Sequence, residues 1–152
     1  MMKLLLKLEP ALTFKIWGGD KLKNIKNIET SDALGETWEI STHPKSPSKV
    51  AVNKTDLNEL VNLSYLLKYI DTNDNLSVQV HPADEYAKEH ENELGKTECW
   101  LILDAEPGAG IYLGFKKGVT RKEFKTAVES GLAVDRFLNF YEVSPGDFFA
   151  VP

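Results

Sequence analysis

Apolar and polar residues alternate through Leu12-Thr13-Phe14-Lys15-Ile16-Trp17 and again through Thr37-Trp38-Glu39-Ile40-Ser41. A period of two predicts strands with one face turned inward. Turn residues separate them at Glu9-Pro10, Gly18-Gly19-Asp20, Gly35, and from Pro44 to Pro47. The period then changes: Leu57, Leu60, Val61, Tyr65, Leu66 and Tyr69 recur at helical spacing and predict a helix within residues 55–71. Residues 76–80 read as a strand again, and 82–94 as a short, highly charged helix opened by Pro82. Strands at 99–103 and 110–114 flank the Pro107-Gly108 turn. Thr120-Arg121-Lys122-Glu123 is a capping box for a helix running to Ser130, with Gly131 as its stop. Strands follow at 139–143 and from Phe148 onward.

Strands outnumber helices, and the helices fall between blocks of strands instead of alternating with them. The pattern predicts a mainly β fold with inserted helices, a sandwich or jelly roll, and not a βαβ sheet. No repeat, low-complexity tract or linker divides the 152 residues, so 1–152 reads as one domain.

Composition narrows the function classes. Hydrophobic residues at 42% and charged residues at 27% describe an ordinary globular protein. A net charge of −5 speaks against nucleic-acid binding, which needs clustered Lys and Arg. The single cysteine, Cys99, cannot pair within the chain, which suits a reducing compartment. Met1-Met2-Lys3-Leu4-Leu5-Leu6-Lys7-Leu8 begins like a signal segment, but Lys7 and Glu9 interrupt its apolar run and no small-residue cleavage site follows. No stretch approaches the roughly 18 apolar residues of a membrane span. The expectation is a cytoplasmic protein with neither membrane nor nucleic acid as partner.

The polar residues of the predicted strands carry the chemistry. Ser77, Gln79 and His81 stand two apart, so all three project from one strand face while Val78 and Val80 point the other way. Lys96, Glu98 and Trp100 share one face of the next strand, with Thr97 and Cys99 on the other. If those strands pair, an amide oxygen, an imidazole and a carboxylate can converge on one ion, a mixed set that suits zinc better than calcium. The plainer reading is a loop histidine before Pro82 and a solvated strand edge at Glu98. His43 and His90 are expected to face solvent, and Cys99 to be a small buried residue. Gly18-Gly19 reads as a turn, and Trp17 and Trp38 as core.

Leu76-Ser77-Val78-Gln79-Val80-His81-Pro82-Ala83-Asp84 and Gly95-Lys96-Thr97-Glu98 resemble the two metal-site motifs of type I mannose-6-phosphate isomerases. The likeness extends to Ile16-Trp17-Gly18-Gly19, Gly35-Glu36-Thr37-Trp38-Glu39-Ile40-Ser41 and Leu66-Leu67-Lys68-Tyr69-Ile70-Asp71. It runs in order along essentially the whole chain and is nearest the N-terminal half of the short bacterial form. Ala83 departs from the pattern, standing where the family often has Asp.

The resemblance implies a cupin-type jelly roll and an aldose–ketose isomerase that interconverts mannose 6-phosphate and fructose 6-phosphate through a cis-enediol. It implies one zinc ion per chain with Gln79, His81 and Glu98 as ligands. It places Lys68, Ser77 and Lys96 around the sugar phosphate, with Lys96 and His81 as the catalytic residues. The chemistry agrees: moving a proton between adjacent carbons builds negative charge on oxygen, which a zinc ion or an ammonium stabilises. Cationic and hydroxyl donors likewise suit a phosphate.

Gly146-Asp147-Phe148-Phe149-Ala150-Val151-Pro152 is similar to the front of the second cupin signature, Gly-x5-Pro, which continues to a ligand His. On this likeness the cupin is truncated at its second motif, before a fourth zinc ligand and a later catalytic Arg. Zinc is then expected to bind weakly and activity to be low. The strand from Phe148 is expected either to pair across a homodimer or to fold against the chain's own sheet. The second reading is a non-catalytic cupin module that binds a sugar phosphate or a protein partner.

Overall fold

The computed structural model describes residues 5–151. The signal-like start at Met1 and the motif's closing Pro152 lie outside them. The chain forms two compact units, Met1–Ser77 and Val78–Pro152.

In the first unit, β1 (Leu8–Glu9), β2 (Ala11–Gly19), α1 (Lys21–Lys26), β3 (Leu34–Ile40), β4 (Lys49–Val50) and β5 (Leu67–Ile70) follow in order. Strands β2, β3 and β5 form an antiparallel sheet with β3 in the middle, and β1 pairs with β4. Leu22, Leu34, Val50 and Leu57 are the buried apolar residues of this unit. Two buried serines sit beside them: Ser48 Oγ accepts the Ser41 N–H at 3.0 Å and donates to the Trp38 carbonyl at 2.9 Å. Gly18 is not in a turn. It lies within β2, so close to β3 that a Cβ there would meet the Gly35 nitrogen at 2.6 Å. At the far end of β5, Asp71 Oδ2 accepts the Leu22 N–H at 3.0 Å and so caps α1 from a distant part of the chain.

The helix expected within 55–71 does not form. Only a 3-10 turn at Leu57–Glu59 appears there, and Leu67–Ile70 is strand β5. Leu57 is buried, whereas Leu60, Val61 and Tyr65 are exposed, so the helical stripe has nothing to cover it. Pairing with β3 through Trp38↔Lys68 and Glu36↔Ile70 satisfies the backbone of the last residues instead.

The second unit holds α2 (Asp84–His90), β6 (Glu98–Leu101), β7 (Gly110–Phe115), α3 (Arg121–Glu129), β8 (Leu138–Glu142) and β9 (Phe148–Val151). Its strands form two antiparallel pairs, β6 with β9 and β7 with β8. The capping box forms as the spacing predicts: Thr120 Oγ1 accepts the Glu123 N–H, and the Glu123 carboxylate accepts the Thr120 N–H. Phe124 on α3 stacks edge-on against Phe115 and Phe137, with ring centres 4.8 and 5.9 Å apart. The strand from Phe148 folds against its own sheet, with Glu98 opposite Val151 and Leu101 opposite Phe148.

Three further expectations are corrected here. Residues 76–80 form no strand; Val78 and Val80 are exposed, so their alternation has no apolar surface to meet. Cys99 is exposed, because it lies opposite Ala150 on a two-stranded ribbon whose outer face is uncovered. His43 is half-buried and does not face solvent, its ring standing edge-on to Trp38 at 5.7 Å. His90 is exposed, and Trp17 and Trp38 are half-buried.

Candidate active site

The second unit brings three of the predicted site residues together around one carboxylate. Glu98 opens β6, and its Oε1 lies 3.0 Å from His81 Nε2. Trp100 Nε1 donates to the same oxygen at 2.9 Å, and Lys96 Nζ meets Oε2 at 3.0 Å. Lys96, Glu98 and Trp100 therefore present one face, as two-residue spacing requires. The histidine arrives differently, from the irregular run that leads into α2.

A glycine makes that approach possible. A Cβ at Gly95 would stand 2.6 Å from the Pro82 carbonyl oxygen and 2.9 Å from the Asp84 nitrogen. The Gly95 N–H donates to Asp84 Oδ1 at 2.8 Å, closing the 84–95 loop on its own base. Only a residue without a side chain lets residues 95–98 lie against His81 and Pro82.

Burial raises the energy of the Glu98 anion, but the bonds from Trp100, Lys96 and His81 outweigh it. The carboxyl is held below its ordinary range. Glu98 is thus an anion at neutral pH, with its two oxygens shared among an indole, an ammonium and an imidazole.

Of the other predicted residues, Gln79 belongs to this unit and is exposed. It does not share a strand with His81, since neither lies in one. Lys68 and Ser77 belong to the first unit. Lys68 Nζ is 3.2 Å from Glu36 Oε1, and Ser77 is exposed. Sequence reasoning missed Trp100 and Glu36 as site residues. The signal was present as a repeated Glu-x-Trp spacing, Glu36-Thr37-Trp38 and Glu98-Cys99-Trp100, which puts an indole donor beside a carboxylate.

The donor chemistry fits part of a zinc shell. Ligands at about 2.0–2.2 Å from one tetrahedral ion lie roughly 3.3–3.6 Å apart, and His81 Nε2 and Glu98 Oε1 stand slightly nearer, at the 3.0 Å of a direct hydrogen bond. Among the described residues no group of three or more His, Cys, Asp or Glu could hold a metal ion. The imidazole and the carboxylate are two groups of the kind a zinc shell uses.

Residues 5–101 match the family described as phosphomannose isomerase type I, catalytic domain, and the chain belongs to that family. It is 40% identical to the probable mannose-6-phosphate isomerase GmuF of Bacillus subtilis, over 95% of this chain and 51% of that protein. It is 39% identical to the mannose-6-phosphate isomerase of Streptococcus mutans, over 91% of this chain and 48% of that one. The crystal structure of mannose 6-phosphate isomerase from Bacillus subtilis superposes with a TM-score of 0.80 at 36% identity. That superposition covers 95% of this chain and 51% of the other. The chain spans about half the length of the curated relatives it matches. The mainly β, cupin-type reading of the fold stands, and among the described residues no helix is long and apolar enough to cross a membrane.

Proposed function

We propose that this chain takes part in the interconversion of mannose 6-phosphate and fructose 6-phosphate, with His81, Glu98 and Gln79 holding one zinc ion. The observation that carries this reading is the 3.0 Å meeting of His81 Nε2 and Glu98 Oε1, with Lys96 on the second oxygen. The names of the relatives favour it over a non-catalytic cupin module.

Each residue has a separate task. Glu98 stays ionised, as a metal-holding carboxylate must. Trp100 fixes its rotation by donating to Oε1. His81 presents Nε2 to the same point, and its neutral form is the one that binds metal. Zinc, when bound, supplies Lewis-acid stabilisation of the negative charge that grows on the sugar oxygens. Lys96 is half-exposed, so its ammonium is available beside Glu98 to stabilise the same charge and to steady a proton moving between adjacent carbons. Lys68 and Ser77 supply an ammonium and a hydroxyl for the phosphate. Lys96 and His81 are the catalytic residues of this reading.

The test is calorimetric titration of the chain with zinc and then with mannose 6-phosphate, beside a coupled assay for fructose 6-phosphate. Zinc-dependent binding of the sugar phosphate, abolished by His81→Ala and weakened by Lys96→Ala, is the expected result. A wild-type chain that binds neither zinc nor sugar phosphate overturns the reading.

A further inference from the structure

The first unit holds a second carboxylate cluster, in which the proposed function leaves Glu36 and Trp38 without a task. Glu36 and Trp38 stand two apart on β3, and Trp38 is in register with Lys68 on β5. All three therefore share one face of the three-stranded sheet. Trp38 Nε1 donates to Glu36 Oε2 at 2.7 Å, and Lys68 Nζ donates to Oε1 at 3.2 Å. The ammonium also lies 5.7 Å from the centre of the Trp38 ring. Glu36 is only 8% exposed and the Lys68 side chain 19%.

This burial decides what the cluster can do. A carboxylate out of water is stable only with its charge matched and its oxygens occupied. Here the indole takes one oxygen and stops the carboxylate from turning, so the other oxygen has a fixed place. The lysine that meets it is fixed in turn, on a side chain that otherwise keeps considerable rotamer freedom. An ammonium has three donors. Glu36 is the one hydrogen-bond partner of the Lys68 ammonium among the described residues, which leaves two donors for a ligand.

We propose that Glu36, locked by Trp38, is the positioning residue for Lys68 and holds its ammonium ready for an anionic group of the substrate. Glu36 does not itself touch substrate. The anionic group is the phosphate of the sugar phosphate, and that clause rests on the function proposed above. The holding of Lys68 stands on the first unit alone.

The experiment is lysine labelling of the full chain with an amine-reactive acylating reagent at fixed pH, read residue by residue by mass spectrometry. Lys26 is the internal control, because it is held in the same unit by Glu39 at 2.8 Å and lies over Tyr69. Glu36→Gln is expected to raise the Lys68 labelling rate about three- to tenfold, the range a half-screened charge-assisted bond supports, and to leave Lys26 unchanged. Trp38→Phe is expected to raise Lys68 by a smaller factor, and it decides the matter if Glu36→Gln does not fold. An unchanged Lys68 overturns the proposal, and so does a parallel rise at Lys26, which marks general loosening of the sheet. Mannose 6-phosphate and inorganic phosphate should each protect Lys68 in the wild type and protect it less in Glu36→Gln. A wild-type Lys68 that neither protects overturns the phosphate role of Lys68, while the labelling contrast still judges Glu36.

Discussion

Two Glu-x-Trp segments, one in each unit, build the same pair of contacts and differ in the third. Glu36 receives the Trp38 indole and the Lys68 ammonium; Glu98 receives the Trp100 indole and the Lys96 ammonium, and His81 as well. Position in the sheet explains the difference. Glu36 lies on the middle strand β3 between β2 and β5, and its side-chain partners come from β3 itself and from β5. Glu98 is the first residue of β6, where an irregular segment can fold back on it, and Gly95 lets that segment come close. A carboxylate in mid-sheet becomes a fixed counter-charge. The same carboxylate at a strand start can gather donors for an ion.

Zinc gives the largest effect that separates the two. Glu98→Gln is expected to weaken zinc binding by more than about 100-fold, since altering groups that merely support a ligand already costs about 10–100-fold. Glu36→Gln should leave zinc affinity unchanged. Competition with a chromophoric chelator at neutral pH reads both. Equal losses in the two variants would erase the distinction between the clusters.

Stability sharpens it in the opposite direction. Losing the indole donor should hurt more where the carboxylate is better hidden, and Glu36 is more buried than Glu98. Trp38→Phe is expected to cost about 2 kcal/mol and Trp100→Phe about 1 kcal/mol, within the range for a buried acceptor left short of a partner. Urea denaturation measures both, with Trp17→Phe controlling for lost ring area. The reverse order would mean that burial does not set the worth of the bond.

Local devices were legible in the sequence, and long-range ones were not. The alternation of 12–17 and 37–41 marks β2 and β3, and Thr120 with Glu123 marks the start of α3, because each signal is read and satisfied within a few residues. Leu67–Ile70 carries an apolar spacing compatible with a helix. Its strand identity comes from β3, about thirty residues earlier, and no local pattern reports that pairing. The meeting of His81 with Glu98 was expected from two facing strands. It arises instead from an irregular run, held by a close approach at Gly95 that the sequence records only as a glycine. Cys99 was placed correctly opposite Glu98 but wrongly in a core, since alternation names the two faces of a strand and not which of them is covered.

Helix capping carries the contrast to smaller energies. Helix α1 is capped from outside itself by Asp71, whereas α3 is capped by its own Thr120. Asp71→Ala is expected to cost about 1–2 kcal/mol and Thr120→Ala about 1 kcal/mol, the range for loss of a capping oxygen. Asp71 comes out larger because it also ties α1 to the end of β5. Thermal denaturation followed by circular dichroism checks the order.

The smallest effect is a pH dependence at the start of α3. Hydrogen bonds from the Thr120 hydroxyl and backbone N–H hold the Glu123 carboxyl below its ordinary value of 4.5, against a minor opposing effect of burial. A carboxyl lowered in the folded state stabilises above its unfolded value, and that contribution is lost as pH falls through the folded value. The first turn of α3 should therefore fray as pH falls below about 4.5. Amide exchange at Glu123 and Phe124 as the pH is lowered reads the effect. In Glu123→Gln the change should vanish, because the amide still accepts from Thr120 and no longer titrates. An acid-induced rise in exchange that survives this substitution would place its origin outside the capping box.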